Sequence, residues 1–202
     1  MKKRILMPLV HGNEEIETIT IFSILSRAGN ILHLVKCDDD NNNNNIHHNN
    51  RLEVTLSRGL RIKTNNTLHN IIKHNNININ TYYDCIVLPG GLQGAINYNK
   101  SKTLINILHQ RKHLNKLYAS ICATPGVFLA KNNLLNSIAT CYPSFKSNLL
   151  SHGIKYINAP YIIDNNIITG RSAGDALKFS LQLVTLLNGD AISTKVKSTV
   201  LL

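Results

Sequence analysis

At 202 residues, with 43% hydrophobic residues and 22 basic against 11 acidic side chains for a net charge of +11, the chain is long enough to bury a full core as one domain without disulfide or metal support. No apolar run is long enough to span a bilayer, and Met1-Lys2-Lys3-Arg4 leads straight into a strand pattern with no small-residue cleavage site, which points to a cytoplasmic protein without a membrane partner. The lysines are scattered, aromatics are few and no DNA- or RNA-binding motif is present, so the positive charge argues little for nucleic acid.

Residues 4–10 read as a first strand, interrupted by Pro8. Asn13 as N-cap, with Glu14 and Glu15 in the first turn, predicts a helix over 14–27 that Gly29 stops. Residues 31–35 form a second strand. The Asp-, Asn- and His-rich tract 38–50 is too polar to pack and reads as a surface insertion; its His47-His48 pair is a solvated feature before it is a metal site. Residues 52–56 and 60–63 alternate around Arg58-Gly59 as a hairpin, and the Asn-rich stretch 75–80 reads as a second insertion.

A short buried strand over 84–88 leads into Pro89-Gly90-Gly91, followed by a helix over 101–113. The apolar run 117–121 is the next strand and ends at Cys122; a helix over 124–131 follows, with Pro125 suited to its first turn. Then come a strand near 138–141, a hairpin around Asp164-Asn165-Asn166, and an apolar helix over 175–187 closed by Asn188-Gly189. Strands alternating with helices at these lengths predict an α/β fold, a mostly parallel sheet covered by helices on both faces.

Ligands of such a sheet bind at the carboxyl ends of the strands. The approach to Glu17, the Gly90-Gly91 loop, Cys122 and Tyr142 all fall there. Cys122, between a buried strand and a helix N-terminus, is expected to have a lowered pKa and to be a nucleophile; the alternative is a buried structural thiol. Glu17 shares a helix face with Ile21, Ile24 and Ala28, so it should point inward with a raised pKa, as general acid and base; the alternative is a first-turn glutamate facing the helix dipole. Adjacent glycines let backbone N–H groups approach a reacting oxygen, although they are also ordinary turn residues. The four cysteines, Cys37, Cys85, Cys122 and Cys141, lack C-x-x-C spacing, so neither zinc nor a disulfide framework is indicated; a Cys122–Cys141 pair is the remaining redox option.

The chain resembles the parkinsonism-associated protein deglycase family of the ThiJ/PfpI superfamily, almost end to end outside the two Asn-rich stretches. The resemblance rests on Glu14-Glu15-Ile16-Glu17, Ser26-Arg27-Ala28-Gly29, Ser57-Arg58-Gly59, Tyr83-Asp84 leading to Leu88-Pro89-Gly90-Gly91, residues 119–125, and Thr169-Gly170-Arg171 before the last long helix. It implies a flavodoxin-like three-layer sandwich, a homodimer, and a reactive cysteine at a strained elbow. Carried onto this chain, Cys122 is the nucleophile, Glu17 its protonated partner, and the Gly91 and Ala123 N–H groups the oxyanion site. The implied activity is a cofactor-independent and metal-free glyoxalase or protein deglycase acting on small reactive aldehydes or glycated protein side chains. The alternative is a redox-sensing chaperone whose cysteine oxidises to sulfinate. Tyr142 stands where many relatives have a histidine, which disfavours peptidase chemistry because a phenol with a pKa of about 10 is a poor base. Ser172-Ala173-Gly174 replaces a Gly-Pro-Gly, and Lys63 replaces an interface cysteine.

Overall fold

The structure, a computed structural model, describes residues 2–37, 52–74 and 77–202. In chain order, β1 (Arg4–Leu9) leads to α1 (Glu15–Arg27), β2 (Ile31–Lys36), a hairpin of β3 (Glu53–Thr55) and β4 (Arg61–Lys63), β5 (Asn66–Thr67), α2 (Leu68–His74) and α3 (Ile79–Tyr82). Next come β6 (Cys85–Leu88), α4 (Leu92–Tyr98), α5 (Lys102–His113), β7 (Tyr118–Ile121) and a π-helix, Pro125–Leu129. The chain ends with β8 (Ile138–Ala139), α6 (Lys146–Ser151), β9 (Lys155–Tyr156), β10 (Tyr161–Asp164), β11 (Ile167–Gly170), α7 (Ala176–Asn188) and α8 (Asp190–Thr199).

Seven of these strands form one sheet in the order β10-β11-β7-β6-β1-β2-β5, parallel except for β10, which returns on β11 through the expected Asn165-Asn166 turn. The predicted α/β class and parallel sheet are therefore present. Strands β6, β7 and β11 are buried at every position, as a sheet covered on both faces requires. Side chains alternate between two cores. Ile5, Met7 and Leu9 face Ile21, Leu25, Phe179 and Leu183 of α1 and α7. Leu6, Ile86, Leu88 and Tyr118 face Leu104, Leu108, Phe128 and Leu129 of α5 and the π-helix. Pro8 is tolerated because the register with β6 ends at Leu6, two residues earlier.

The strand order reverses at β1 and β6: β2 lies to one side of β1 and β6 to the other, which makes the carboxyl ends of β1, β6 and β7 the crevice of the fold.

Several local expectations are corrected. The cap of α1 is Glu14, whose carboxylate accepts the Glu17 N–H at 2.8 Å, whereas Asn13 is wholly buried and bonded elsewhere. The segment after Cys122 is a π-helix, its Ala130 N–H reaching back five residues to the Pro125 carbonyl at 2.9 Å, because the extra residue per turn is invisible in so short an apolar run. The strand near 138–141 contracts to β8, which pairs with β9 outside the main sheet. Of the Asn-rich stretch 75–80, residues 75 and 76 lie outside the described residues, and in the rest Asn78 caps α3, Ile79 and Asn80 are buried, and the Asn80 amide donates to Gln110 Oε1 on α5 at 3.1 Å. The tract 38–50 with His47-His48 lies outside the described residues. No helix among the described residues is long and apolar enough to cross a membrane.

Candidate active site

At the end of β7 the chain turns sharply through Cys122, whose φ of +66° lies in the left-handed region. A residue with a Cβ resides there at a cost of about 1–2 kcal/mol, so the surroundings must hold it. They do so from both sides. The Cys122 N–H extends the ladder to the Gly170 carbonyl at 3.0 Å, and its carbonyl accepts the Tyr142 N–H at 2.8 Å. The side chain is half-buried, while Cys37, Cys85 and Cys141 are buried, and none of the four is in a disulfide.

Glu17, one turn into α1, is fully buried, as its alignment with Ile21 and Ile24 predicts. Its Oε2 accepts the Gly90 N–H at 2.6 Å, and the carboxyl and the Cys122 side chain both crowd the same face of Gly90, close enough for each to bear on the other's titration. Burial raises its pKa from 4.5 to about 7, against the opposing bonds from Cys122 and Gly90 and with a further push from the Glu14 charge. Oε1 has no hydrogen-bond partner among the described residues, which suits a protonated oxygen with a proton to give.

The expectation of a thiol acidified by a helix end is corrected. Burial pushes the Cys122 thiol up, the Glu17 carboxylate adds to the rise, and the neighbouring Gly91 and Ala123 N–H groups oppose it. Two acids in this space cannot both ionise. When Glu17 holds the proton, its charge no longer adds to the rise that burial imposes on the thiol, and its O–H is able to donate to the thiolate.

Glycine at position 90 is what permits the approach. A Cβ there would lie 2.5 Å from Glu17 Oε2 and 2.6 Å from Cys122 Cβ. Gly91 has φ +89°, and a Cβ on it would run into the Gly12 carbonyl.

Cys122, Glu17, Gly90, Gly91 and Ala123 thus converge at the strand ends as expected. Tyr142 is tied to them through its backbone, while its ring is 44% exposed and lies 6.2 Å from that of Phe145. Sequence reasoning missed two buried polar side chains behind the loop, Asn13 and Thr124. Thr124 had a readable signal in its place two residues after the cysteine. No group of His, Cys, Asp and Glu among the described residues could hold a metal ion.

The DJ-1/PfpI family model matches residues 3–186. The chain is 33% identical over 183 residues to protein DJ-1 homolog B of Arabidopsis thaliana, covering 90% of itself but only 37% of that protein, so it spans little more than a third of this relative's length. It is 33% identical over 104 residues to the glutathione-independent glyoxalase DJ-1 of Schizosaccharomyces pombe, covering 50% of itself and 53% of that protein. Among solved structures, Drosophila melanogaster DJ-1beta superposes with a TM-score of 0.85 at 29% identity, over 100% of this chain and 99% of that one.

Proposed function

The chain belongs to the DJ-1/PfpI family, and from that premise we propose that it is a cofactor-independent glyoxalase in which Cys122 is the nucleophile and Glu17 moves the proton. The observation that carries this reading is the Glu17–Cys122 pair itself: a fully buried carboxyl with a pKa near 7, packed with a half-buried thiol around Gly90 at a strained elbow. A carboxyl poised near neutrality exchanges protons in both directions at working pH. Enzymatic relatives such as the fission-yeast glyoxalase support the same class of chemistry.

The reaction runs as follows for methylglyoxal. The Cys122 thiolate adds to the aldehyde carbon; the carbonyl π pair moves onto oxygen, where the Gly91 and Ala123 N–H groups stabilise it and Glu17 supplies its proton. The Glu17 carboxylate then removes the hydrogen of that carbon while the neighbouring ketone oxygen is protonated, giving an enediol; Glu17 returns its proton to the neighbouring carbon as the first hydroxyl gives up its own, so the hemithioacetal becomes a lactoyl thioester. Water cleaves the thioester, so methylglyoxal and water become lactate and the thiol is restored. Glycated protein side chains that present a hemithioacetal or aminocarbinol enter at the addition step. Among the described residues, the groups that bear on the sulfur are Glu17 and the two amides; no imidazole is among them, which argues against peptidase chemistry.

The test is steady-state conversion of methylglyoxal to lactate with chiral product detection, beside Cys122→Ser and Glu17→Gln. Turnover lost in both variants is expected; no turnover above the Cys122→Ser background would sink the glyoxalase reading.

One observation favours a second reading. Cys122 is the one described cysteine that is not buried, so peroxide would oxidise it first, and the same N–H donors and protonated Glu17 would bond the sulfinate oxygens. A gain of two oxygen atoms confined to Cys122, with client-protein aggregation suppressed only after oxidation, is the outcome that reading requires. The outward stripe Ile16, Ile19 and Phe22 on α1 supports burial against a second copy in a homodimer.

A further inference from the structure

We propose that Asn13 and Thr124 are positioning residues that grip two successive carbonyls of the Pro89-Gly90-Gly91 loop and so aim the Gly90 N–H at Glu17 and the Gly91 N–H at Cys122. The inference rests on the Cys122–Glu17 reading of the site but not on the identity of the substrate.

A trans peptide is planar and points its C=O and N–H in opposite directions. Fixing the carbonyl of such a unit therefore fixes the aim of its N–H. The Pro89–Gly90 peptide has its carbonyl held by Thr124 Oγ1 at 2.7 Å and by Asn13 Nδ2 at 3.4 Å, while its N–H meets Glu17 Oε2 at 2.6 Å. The Gly90–Gly91 peptide has its carbonyl held by Asn13 Nδ2 at 2.9 Å and the Glu14 N–H at 3.1 Å, which leaves its N–H on the opposite side, where it favours the anionic form of Cys122. There are no cis peptides among the described residues, so the geometry applies to both units.

Both gripping side chains are themselves fully buried and locked. Asn13 Oδ1 accepts the Val10 N–H at 2.8 Å and lies 3.2 Å from the Tyr98 hydroxyl, which donates to the Pro8 carbonyl at 2.8 Å. Since Val10 offers only a donor and the loop only carbonyl acceptors, the amide has one orientation that satisfies all its partners. Two glycines in sequence are intrinsically loose; this loop is stiffened from behind by side chains that leave the solvent face of the site clear. Thr124 adds a second coupling, because it follows Cys122 by two residues and ties the loop to the elbow.

The two N–H bonds favour the anionic forms of Glu17 and Cys122, and Glu14 is the other charged group that bears on Glu17. Loosening them should move the titration of the pair upward. The experiment is the rate of Cys122 alkylation by iodoacetamide against pH for the wild type, Thr124→Val, Thr124→Ser and Asn13→Ala, with thermal melts of each and methylglyoxal kinetics alongside. Thr124→Val keeps the volume of the threonine and removes only the hydroxyl. The midpoint is expected to rise by about half a unit or more in Thr124→Val and Asn13→Ala, and to return in Thr124→Ser. On methylglyoxal, kcat should fall about fivefold or more in the first two with KM nearly unchanged. If Asn13→Ala does not fold, Thr124→Val decides. A folded Thr124→Val with a wild-type alkylation profile, or Val and Ser variants that shift alike, overturns the proposal. Because alkylation uses no aldehyde, a shifted profile in a protein without glyoxalase turnover would sink the substrate and leave the positioning role standing.

Discussion

The β6–β7 pair carries buried ionisable groups at both ends, and the two ends are built to opposite effect. At the amino end, carbonyls converge on a cation. Arg111, fully buried on α5, donates from Nε to the Leu117 carbonyl at 2.7 Å and from Nη2 to those of Tyr83 and Asp84 at 3.0 and 2.6 Å. At the carboxyl end, N–H groups of Gly90, Gly91 and Ala123 converge on two acids. Each end also has a residue at positive φ. Asn115, in the turn after α5, is at +52°, a state asparagine adopts readily, whereas Cys122 is at +66° with no such excuse. The amino end is therefore a structural clamp, although Arg111 Nη1 finds no partner among the described residues, and the carboxyl end holds the strain and the two crowded acids on which the proposed chemistry rests.

Removing the sulfur breaks this contrast most directly. Cys122→Ala should lower aldehyde turnover by at least about 10³-fold, roughly 4 kcal/mol of barrier, while leaving the fold intact. A Cys122→Ala protein with substantial turnover would show that the N–H groups and Glu17 suffice without a nucleophile.

Arg111→Met reverses the pattern. It removes the side-chain donor from the carbonyls of Tyr83, Asp84 and Leu117, one of these bonds buried and two half-buried, and should cost about 2–3 kcal/mol in urea melts, whereas kcat per folded molecule stays near the wild type. A large kcat loss at unchanged stability would show that the two ends are coupled, contrary to the division drawn here.

Glu17 supplies a pH-dependent version. A folded-state pKa of about 7 against 4.5 for the free carboxyl means that the folded protein binds this proton more tightly than the unfolded chain does. Its contribution is therefore full below about pH 4.5 and is lost as pH rises towards 7, by roughly 3 kcal/mol in all. Glu17→Gln should flatten the stability profile between about pH 5 and pH 7 and lower turnover by about 10²-fold. An unchanged slope in the variant would mean that Glu17 is ionised in the fold.

Much of the carboxyl end was legible beforehand because its signals are local. Glu17 shows its burial through Ile21 and Ile24 at helical spacing, and Cys122 shows its place by ending an apolar run ahead of Pro125. What stayed hidden depends on contacts distant in the chain. Asn13, ahead of two glutamates, carries the same signal as an N-cap; its true partners are 76 and 77 residues away in the β6 loop. Arg111 sits among Lys112 and His113 in the last turn of α5, where basic residues normally face solvent and the helix dipole, and nothing nearby reveals that it is buried. The rise in the Cys122 pKa was likewise misread. The helix end was visible from sequence, but the burial and the carboxylate that outweigh it were not.

The smallest expected effect isolates the strain itself. Cys122→Gly and Cys122→Ala both lack the sulfur and differ only in a Cβ at a φ of +66°. The left-handed conformation costs alanine about 1–2 kcal/mol that glycine avoids, while the greater freedom of glycine in the unfolded chain offsets about 0.7 kcal/mol of that advantage. The glycine variant should therefore be the more stable by about 0.3–1.3 kcal/mol, read as a higher urea midpoint at equal slope. Because neither protein can form a hemithioacetal, the difference reports the backbone alone. If alanine were as stable as glycine, the Gly170 and Tyr142 bonds would be holding a turn that costs nothing. The elbow would then be ordinary, and the reactivity of Cys122 would rest entirely on Glu17 and the two N–H groups.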